Sequence, residues 1–485
     1  MITTTSTDKL NIEDYYKHDG FVYKDKSCEV LVGYTTAYSF PKDIILPDTV
    51  KVINEEALHD FPAPLHALTI PSTVEKIGDA AFKGAYLKSV IIKPGLKSIG
   101  LEAFADCVIK EDIVLPDTVK TLENKAFSRA SIGHINLENI ETFKTAVFRG
   151  TKITDGKVVI GENVKSFGTS LFINSNIKEM EYNSALSIPY SFCYNCRKLE
   201  KFKLKYPVER IGDYAFCHTT NLKKFDFSEG LKKIGKSSFA DSGITEAILP
   251  QSLKEIGQNA FDCSELKNIY IHPKSEEGVF IGSDFLYQTP IEELVIPRSV
   301  TFMEPNACHH MRELKKIVID ANVDTIPESF LFGCPNLTDV EITSPTIKAV
   351  DEYAFFETGL TEVSENFKNI EHFGAQAFGC CTELKKAYIF NGIIDKLTFD
   401  RCDNLKFIAL LHKQPNEKFF YDTNLKRQTN IYFLSGDGKI LSITRDSSLR
   451  DAQLEEIKKY LLETASFGKI SKAIEAMNKI EDTIL

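Results

Sequence analysis

Apolar and polar positions along this chain follow one pattern that returns about every 23 residues. Each return carries an anchor in a recurring phrase. Examples are Ile77-Gly78-Asp79-Ala80-Ala81-Phe82, Ile99-Gly100-Leu101-Glu102-Ala103-Phe104, Ile211-Gly212-Asp213-Tyr214-Ala215-Phe216 and Ile256-Gly257-Gln258-Asn259-Ala260-Phe261. Counted by phenylalanine, with two exceptions, the anchors fall at Leu58, Phe82, Phe104, Phe127, Phe148, Phe172, Phe192, Phe216, Phe239, Phe261, Phe285, Cys308, Phe330, Phe355, Phe378 and Phe399. A second phrase, apolar-x-apolar-Pro, precedes the anchor, as in Leu68-Thr69-Ile70-Pro71, Ile113-Val114-Leu115-Pro116 and Leu294-Val295-Ile296-Pro297. Its alternation predicts a short strand with two side chains inward and one outward. Proline closes the strand because it cannot donate the next ladder bond. The piece that follows, Val74 to Ile77 or Leu253 to Ile256, predicts a second extended segment returning to the core. The Ile-Gly step is expected to turn the chain, since glycine reaches backbone angles closed to other residues. The Ala-Phe step is expected to lay each ring over the one before it.

A period of this length predicts a repeat solenoid, in which no unit buries its apolar side alone and stacked neighbours build one parallel sheet and one core. The phrase Leu-Pro-x-x-Val-x-x-Ile-Gly-x-x-Ala-Phe-x-x-Cys-x-x-Leu-x-x-Val resembles the BspA-type subclass of leucine-rich repeats. Residues 249–269 match it nearly in full, from Leu249-Pro250 through Phe261, Cys263 and Leu266 to Ile269. The resemblance covers about residues 44–411. It implies a right-handed leucine-rich-repeat superhelix that acts as a binding solenoid, commonly as an adhesin or surface-exposed interaction protein, with no shared catalytic residues. Asp19-Gly20-Phe21-Val22-Tyr23 with Leu31-Val32-Gly33-Tyr34 resembles the hairpin that often precedes such repeats.

The expected organisation is an N-terminal tail and hairpin cap at 1–43, repeats at 44–411, a polar linker at 412–429 and a C-terminal element at 430–485. That last element reads as a hairpin, Ile431-Tyr432-Phe433-Leu434 and Ile440-Leu441-Ser442-Ile443 around Gly436-Asp437-Gly438. Two helices follow it, with stripes Leu454, Ile457, Leu461 and Ile470, Ile474, Met477, Ile480 or Glu481, and Ile484. They cap the last repeat or serve for docking and self-association through residues 446–485.

The outward member of each apolar-x-apolar phrase marks the expected working surface. These rungs run Thr69, Ile91, Val114, Asn136, Val159, Glu181, Lys203, Asp226, Ile248, Tyr270, Val295, Val318, Glu341, Ser364, Tyr388 and Ala409. Asn136 to Val295 are the residues expected to touch a protein or glycan partner. The row is polar and charged from Glu181 to Asp226 and apolar or aromatic on either side, and an exposed apolar row at sheet spacing points to binding. An insertion, His272-Pro273-Lys274-Ser275-Glu276-Glu277-Gly278, replaces one usual turn.

Composition narrows the function. The formal net charge of −10, with no local basic cluster, argues against nucleic-acid backbone binding. No apolar run is long enough to insert in a membrane. The first residues lack the basic and apolar regions of a signal peptide. Eleven cysteines cannot all pair, and most follow an anchor as small buried apolar residues. A reduced, cytoplasmic setting is therefore expected, with a surface location open if a signal has been removed. Cys193-x-x-Cys196 with Cys217-His218, and Cys308-His309-His310, have zinc-like spacing, but repeat stacking accounts for them and neither metal nor cofactor is expected. Gly-rich phosphate loops and the Gly-x-Ser-x-Gly elbow are absent from the sequence. The expected function is a non-enzymatic, adhesin-like binding scaffold. The alternatives are an assembly component docking through its C-terminal helices and a carbohydrate-active enzyme on a solenoid.

Overall fold

The structure is a computed structural model that describes residues 15–36, 38–61, 67–275, 277–390, 393–395, 397–410, 430–434 and 440–444. The chain divides into two units, Met1–Leu253 with Cys263–Glu265, and Lys254–Asp262 with Leu266–Leu485. Each is a stack of parallel β-solenoid turns.

Strand pairing departs from the expected single sheet. The apolar-x-apolar-Pro segments do pair in parallel, and they form a first ladder. In the first unit it comprises Asp43–Ile45, Ala67–Ile70 and Ser89–Ile92, then Lys157–Ile160, Glu179–Tyr182 and Lys201–Leu204. The returning segments form a second ladder of their own: Val52–Ile53, Lys76–Ile77, Ser98–Ile99, Thr121–Leu122, Thr142–Phe143 and Ser166–Phe167. A third, of two-residue strands, runs Tyr86–Leu87, Val108–Ile109, Ser131–Ile132 and Lys152–Ile153. Stacking puts every segment one strand spacing above its equivalent, about 4.8 Å, so any extended piece finds a partner. The second unit repeats the scheme, with Glu293–Ile296, Lys316–Ile319 and Asp339–Ile342 in its first ladder. Thr325–Ile326, Ala349–Val350, His372–Phe373 and Ile393–Ile394 belong to its second.

The N-terminal hairpin is present. Phe21–Tyr23 pairs antiparallel with Val30–Tyr34, which leads in parallel into Val52–Ile53. Tyr34 is buried, and its Oη donates to the Asp60 carbonyl at 3.0 Å, tying the cap to the next turn. At the other end, Asn430–Leu434 continues the first ladder from Phe407–Leu410 and pairs antiparallel with Ile440–Thr444. The linker 412–429 and the two helices expected within residues 446–485 lie outside the described residues.

Each turn closes at a corner with two left-handed residues four apart, such as Glu102 and Asp106, Lys125 and Arg129, Tyr214 and His218, or Tyr353 and Glu357. Between turns, Ala80 and Phe82 donate to the carbonyls of Leu101 and Ala103, both at 2.7 Å. The Ile-Gly glycine therefore has a different task from the expected one. Positive φ falls two residues later, at Ala80 or Glu102. Gly78 and Gly212 instead let adjacent turns approach: a Cβ on Gly212 would lie 2.6 Å from the Pro189 carbonyl carbon.

The core is the anchor column. Fifteen expected anchors from Leu58 to Phe378 are fully buried and Phe399 is 3 % exposed. Phe82, Phe104, Phe127, Phe148 and Phe172 stack face to face at 4.8–5.6 Å. The column slips at three turns. Phe148 N donates to Leu171 O, and Phe172 N donates to Phe192 O, which puts Phe192 in the slot before the anchor. Cys193 fills the anchor slot and donates to Ala215 O. Phe192 consequently meets Phe172 edge-on, at 80°. Phe285 and Phe330 are displaced in the same way, with Leu286 and Leu331 in the anchor slots.

Candidate binding surface

Outward rungs of the first ladder lie in register. In the first unit Ile45 pairs with Thr69 and Thr69 with Ile91, while Val159 pairs with Glu181 and Glu181 with Lys203. In the second unit Val295 pairs with Val318 and Val318 with Glu341. Alternation forces this geometry, because residues before and after each rung point into the core. Ile91, Val114 and Ile248 are exposed in the first unit, and Tyr270 and Val295 in the second, at 46–65 %. Ile45, at 71 %, belongs to the same row. The expected rungs begin only at Thr69, yet Ile44-Ile45-Leu46-Pro47 carries the same phrase. Val159 and Thr69 are half-buried, and Glu181, Lys203 and Asp226 are exposed.

Two expected rungs do not present a free side chain. Asn136 turns its amide onto the preceding turn, accepting from Leu115 N at 2.7 Å and donating to Leu115 O at 3.0 Å. It completes the ladder where regular pairing reduces to the single bridge Ile113–Ile135. Tyr388 is only 2 % exposed, and Ala387 and Ile389 beside it are also buried, so that strand is covered on both faces. The burial of Ala409 lies outside the described residues.

Charged partners run along the rows. Lys203 Nζ lies 3.6 Å from Glu181, and two residues earlier on the same strands Lys201 Nζ donates to Glu179 at 2.8 Å. That bond holds the Glu179 carboxyl below its ordinary range. In the second unit Lys316 meets Asp339 at 3.0 Å. A notch of about 200 Å³ sits by this strand, lined by Thr338, Asp339, Thr361, Glu362, Ser364 and Asn366. The insertion at 272–278 is pinned by Ser299 Oγ, which donates to His272 O at 2.7 Å, and the His272 ring lies edge-on to Tyr270.

The zinc-like spacings do not converge. Cys193, Cys196 and Cys217 are buried, and Cys196 Sγ donates to Phe172 O at 2.9 Å. His218 faces Asp241 at 3.2 Å. Cys308 is buried, and His309 Nδ1 lies 2.7 Å from Asn306 O. Among the described residues no three His, Cys, Asp or Glu side chains gather around a common point.

The sequence profile described as BspA type leucine rich repeat region matches residues 51–178, 186–311 and 303–426, most of the chain. The chain belongs to the BspA-type leucine-rich-repeat family. This BspA-type chain is similar in fold to a leucine-rich repeat protein from Bacteroides ovatus, at 20 % identity and a TM-score of 0.57, over 88 % of this chain and 100 % of that one. Matches of lower TM-score include a leucine rich cell surface protein from Faecalibacterium prausnitzii (16 % identity, TM-score 0.33, 85 % of this chain and 98 % of that one). A leucine-rich repeat protein from Eubacterium ventriosum also matches (18 %, 0.32, 84 % and 93 %). No curated protein matches the BspA-type chain. Among its described residues, no helix is long and apolar enough to cross a membrane.

Proposed function

We propose that the chain is a non-enzymatic, adhesin-like binding scaffold that takes a protein or glycan partner on the outer face of its first ladder. The observation that carries this reading is the exposure of outward rungs in each unit: Ile45, Ile91, Val114 and Ile248 in the first, Tyr270 and Val295 in the second. Large aliphatic and aromatic side chains exposed on the ladder of a unit leave apolar area in water that a partner would remove. Rungs such as Thr69, Ile91, Val159, Glu181, Lys203, Val295 and Val318 are fixed by strand pairing to their neighbours, so contacts there need little ordering on binding. The charged rungs Glu181, Lys203 and Asp226 supply polar selectivity within the first unit. Eleven free cysteines, most of them buried, favour folding in a reducing compartment.

The test screens the full chain against immobilised glycans and extracellular proteins, then repeats each positive with Ile91→Lys/Val114→Lys and with Tyr270→Ala/Val295→Lys. Binding through the ladder is expected to fall about tenfold or more with at least one pair, because a central apolar contact carries on the order of 1–2 kcal/mol. Unchanged binding by both variants, each folded by circular dichroism, sinks the reading.

A further inference from the structure

The corners of the second unit carry a surface that the first ladder does not use. Corner segments 282–288, 304–310, 327–333, 351–357 and 374–380 contain no Lys or Arg. They hold Asp284, Glu304, Glu328, Asp351, Glu352 and Glu357. Asp284 lies 3.4 Å from His309, and Glu304 accepts from Ser283 N at 2.8 Å. Among the described residues no cation pairs with Glu328, Asp351, Glu352 or Glu357. The same corners in the first unit are built differently. There Glu102 is held between Lys83 at 2.6 Å and Lys125 at 3.1 Å, and Arg129 grips Asp106 with two bonds of 2.6 Å.

A row of half-buried rings runs through the acidic corners. Tyr287 meets His309 at 4.6 Å, His309 meets His310 at 5.0 Å, His310 meets Phe332 at 5.4 Å, and Phe332 stacks on Phe356 at 4.9 Å and 3°. Glycines keep the row close-packed: a Cβ on Gly333 would lie 2.2 Å from His310 Nδ1, and one on Gly379 would lie 2.7 Å from the Phe356 ring. Burial and its neighbour His309 push the His310 imidazole below its usual value, so it adds no charge at neutral pH. Arg312, near His310, and Arg401, near Cys380 and 3.8 Å from Asp400, are local exceptions to the negative sign.

We propose that this corner face docks a basic polypeptide segment, with its guanidinium or ammonium groups against Phe332 and Phe356 and paired with Glu328, Glu352 and Glu357. Carboxylates that pair with no cation and share these corners with aromatic rings favour a cation twice, by ion pairing and by attraction to the ring quadrupole. Arginine is the better fit, because its planar group stacks as well as pairs. The face is separate from the first-ladder row, so either can fail while the other stands.

The full chain is titrated with an oligo-arginine peptide and an oligo-lysine peptide of equal length, followed by calorimetry at low and at physiological salt. The arginine peptide is expected to bind more tightly. Glu328→Gln/Glu352→Gln/Glu357→Gln should weaken it about tenfold or more, whereas Glu75→Gln/Glu209→Gln/Glu292→Gln, removing equal charge from carboxylates paired to lysines elsewhere, should change it less than about twofold. Phe356→Leu, which keeps an apolar side chain there, should narrow the preference for arginine over lysine. Equal losses in both triple variants would mean diffuse attraction to an acidic protein and would overturn the proposal. An unchanged arginine preference in Phe356→Leu, or binding indifferent to salt, would overturn it as well.

Discussion

Glycine and cysteine show what the sequence hides at the scale of single residues. The Ile-Gly glycines are easily assigned to a turn conformation, yet their φ is ordinary and their constraint is the backbone of the previous turn. No single-chain pattern distinguishes the two reasons. Gly212→Ala is therefore expected to lower stability by about 1–3 kcal/mol through overpacking against Pro189. Gly230→Ala, where the nearest atom to a Cβ is 3.5 Å away but φ is +101°, should lose stability through backbone strain alone. Thermal melts of the two variants measure both losses. The anchor slip was legible in principle. Counting six positions from Ile188, Ile281 or Ile326 lands on Cys193, Leu286 and Leu331, whereas following the phenylalanine does not. Burial pushes the Cys334 thiol up to about 12 and raises that of Cys107 further. A thiol raised in the folded state contributes stability that is fully present below its unfolded value and is lost as pH rises toward the folded one. Stability should hold below about pH 8.5 and then fall toward pH 12, by up to about 1.4 kcal/mol per pH unit for each such thiol, measured by denaturant unfolding across that range. In native buffer a thiol reagent should reach Cys28, Cys263 and Cys380, which are partly exposed, and leave the buried cysteines unmodified until the chain unfolds. Rapid native labelling of Cys193 or Cys308 would contradict the packing described.

At the scale of elements, the first ladder could be read from the sequence because alternation over four residues before a proline has one simple reading. The extended segment of the second ladder was legible, but its pairing into a ladder of its own was not, and the third ladder was not legible at all. Most of these strands are two residues long, too short to show any period, and their pairing arises from the stack rather than from local preference. The candidate surface was legible to the same depth. Strand alternation correctly sent Ile91, Val114, Ile248, Tyr270 and Val295 outward, but it could not show that Asn136 spends its amide on Leu115 or that Tyr388 is covered. Asn136 thus belongs to the architecture. Asn136→Asp keeps the acceptor for Leu115 N but loses the donor to Leu115 O, and Asn136→Ala loses both. Stability is expected to fall in the order Asn136→Ala beyond Asn136→Asp, by about 1–2 kcal/mol for Asn136→Ala, because two part-buried backbone groups lose their partner. Partner binding through neighbouring rungs should persist in both folded variants; a binding loss without a stability loss would return Asn136 to the contact row.

The whole chain is acidic and carries its repeats as nearest-neighbour contacts, so its energetics should follow distance along the stack rather than the total count of contacts. Within the first unit, Phe104 touches Phe127 at 5.1 Å, whereas Phe82 and Phe216 belong to turns separated by several others. A Phe→Leu change at any of these positions shrinks one disc of the column by about the same volume. The two neighbours share a wall, and the space left by one lets the other relax. Phe104→Leu/Phe127→Leu should therefore depart from the sum of its single changes by about 0.5 kcal/mol or more, while Phe82→Leu/Phe216→Leu should add within about 0.3–0.5 kcal/mol. Urea unfolding of the four single and two double variants measures both couplings. A distant pair as strongly coupled as the adjacent one would mean that the unit unfolds around one shared core, and the turn-by-turn account of the stack would have to be abandoned.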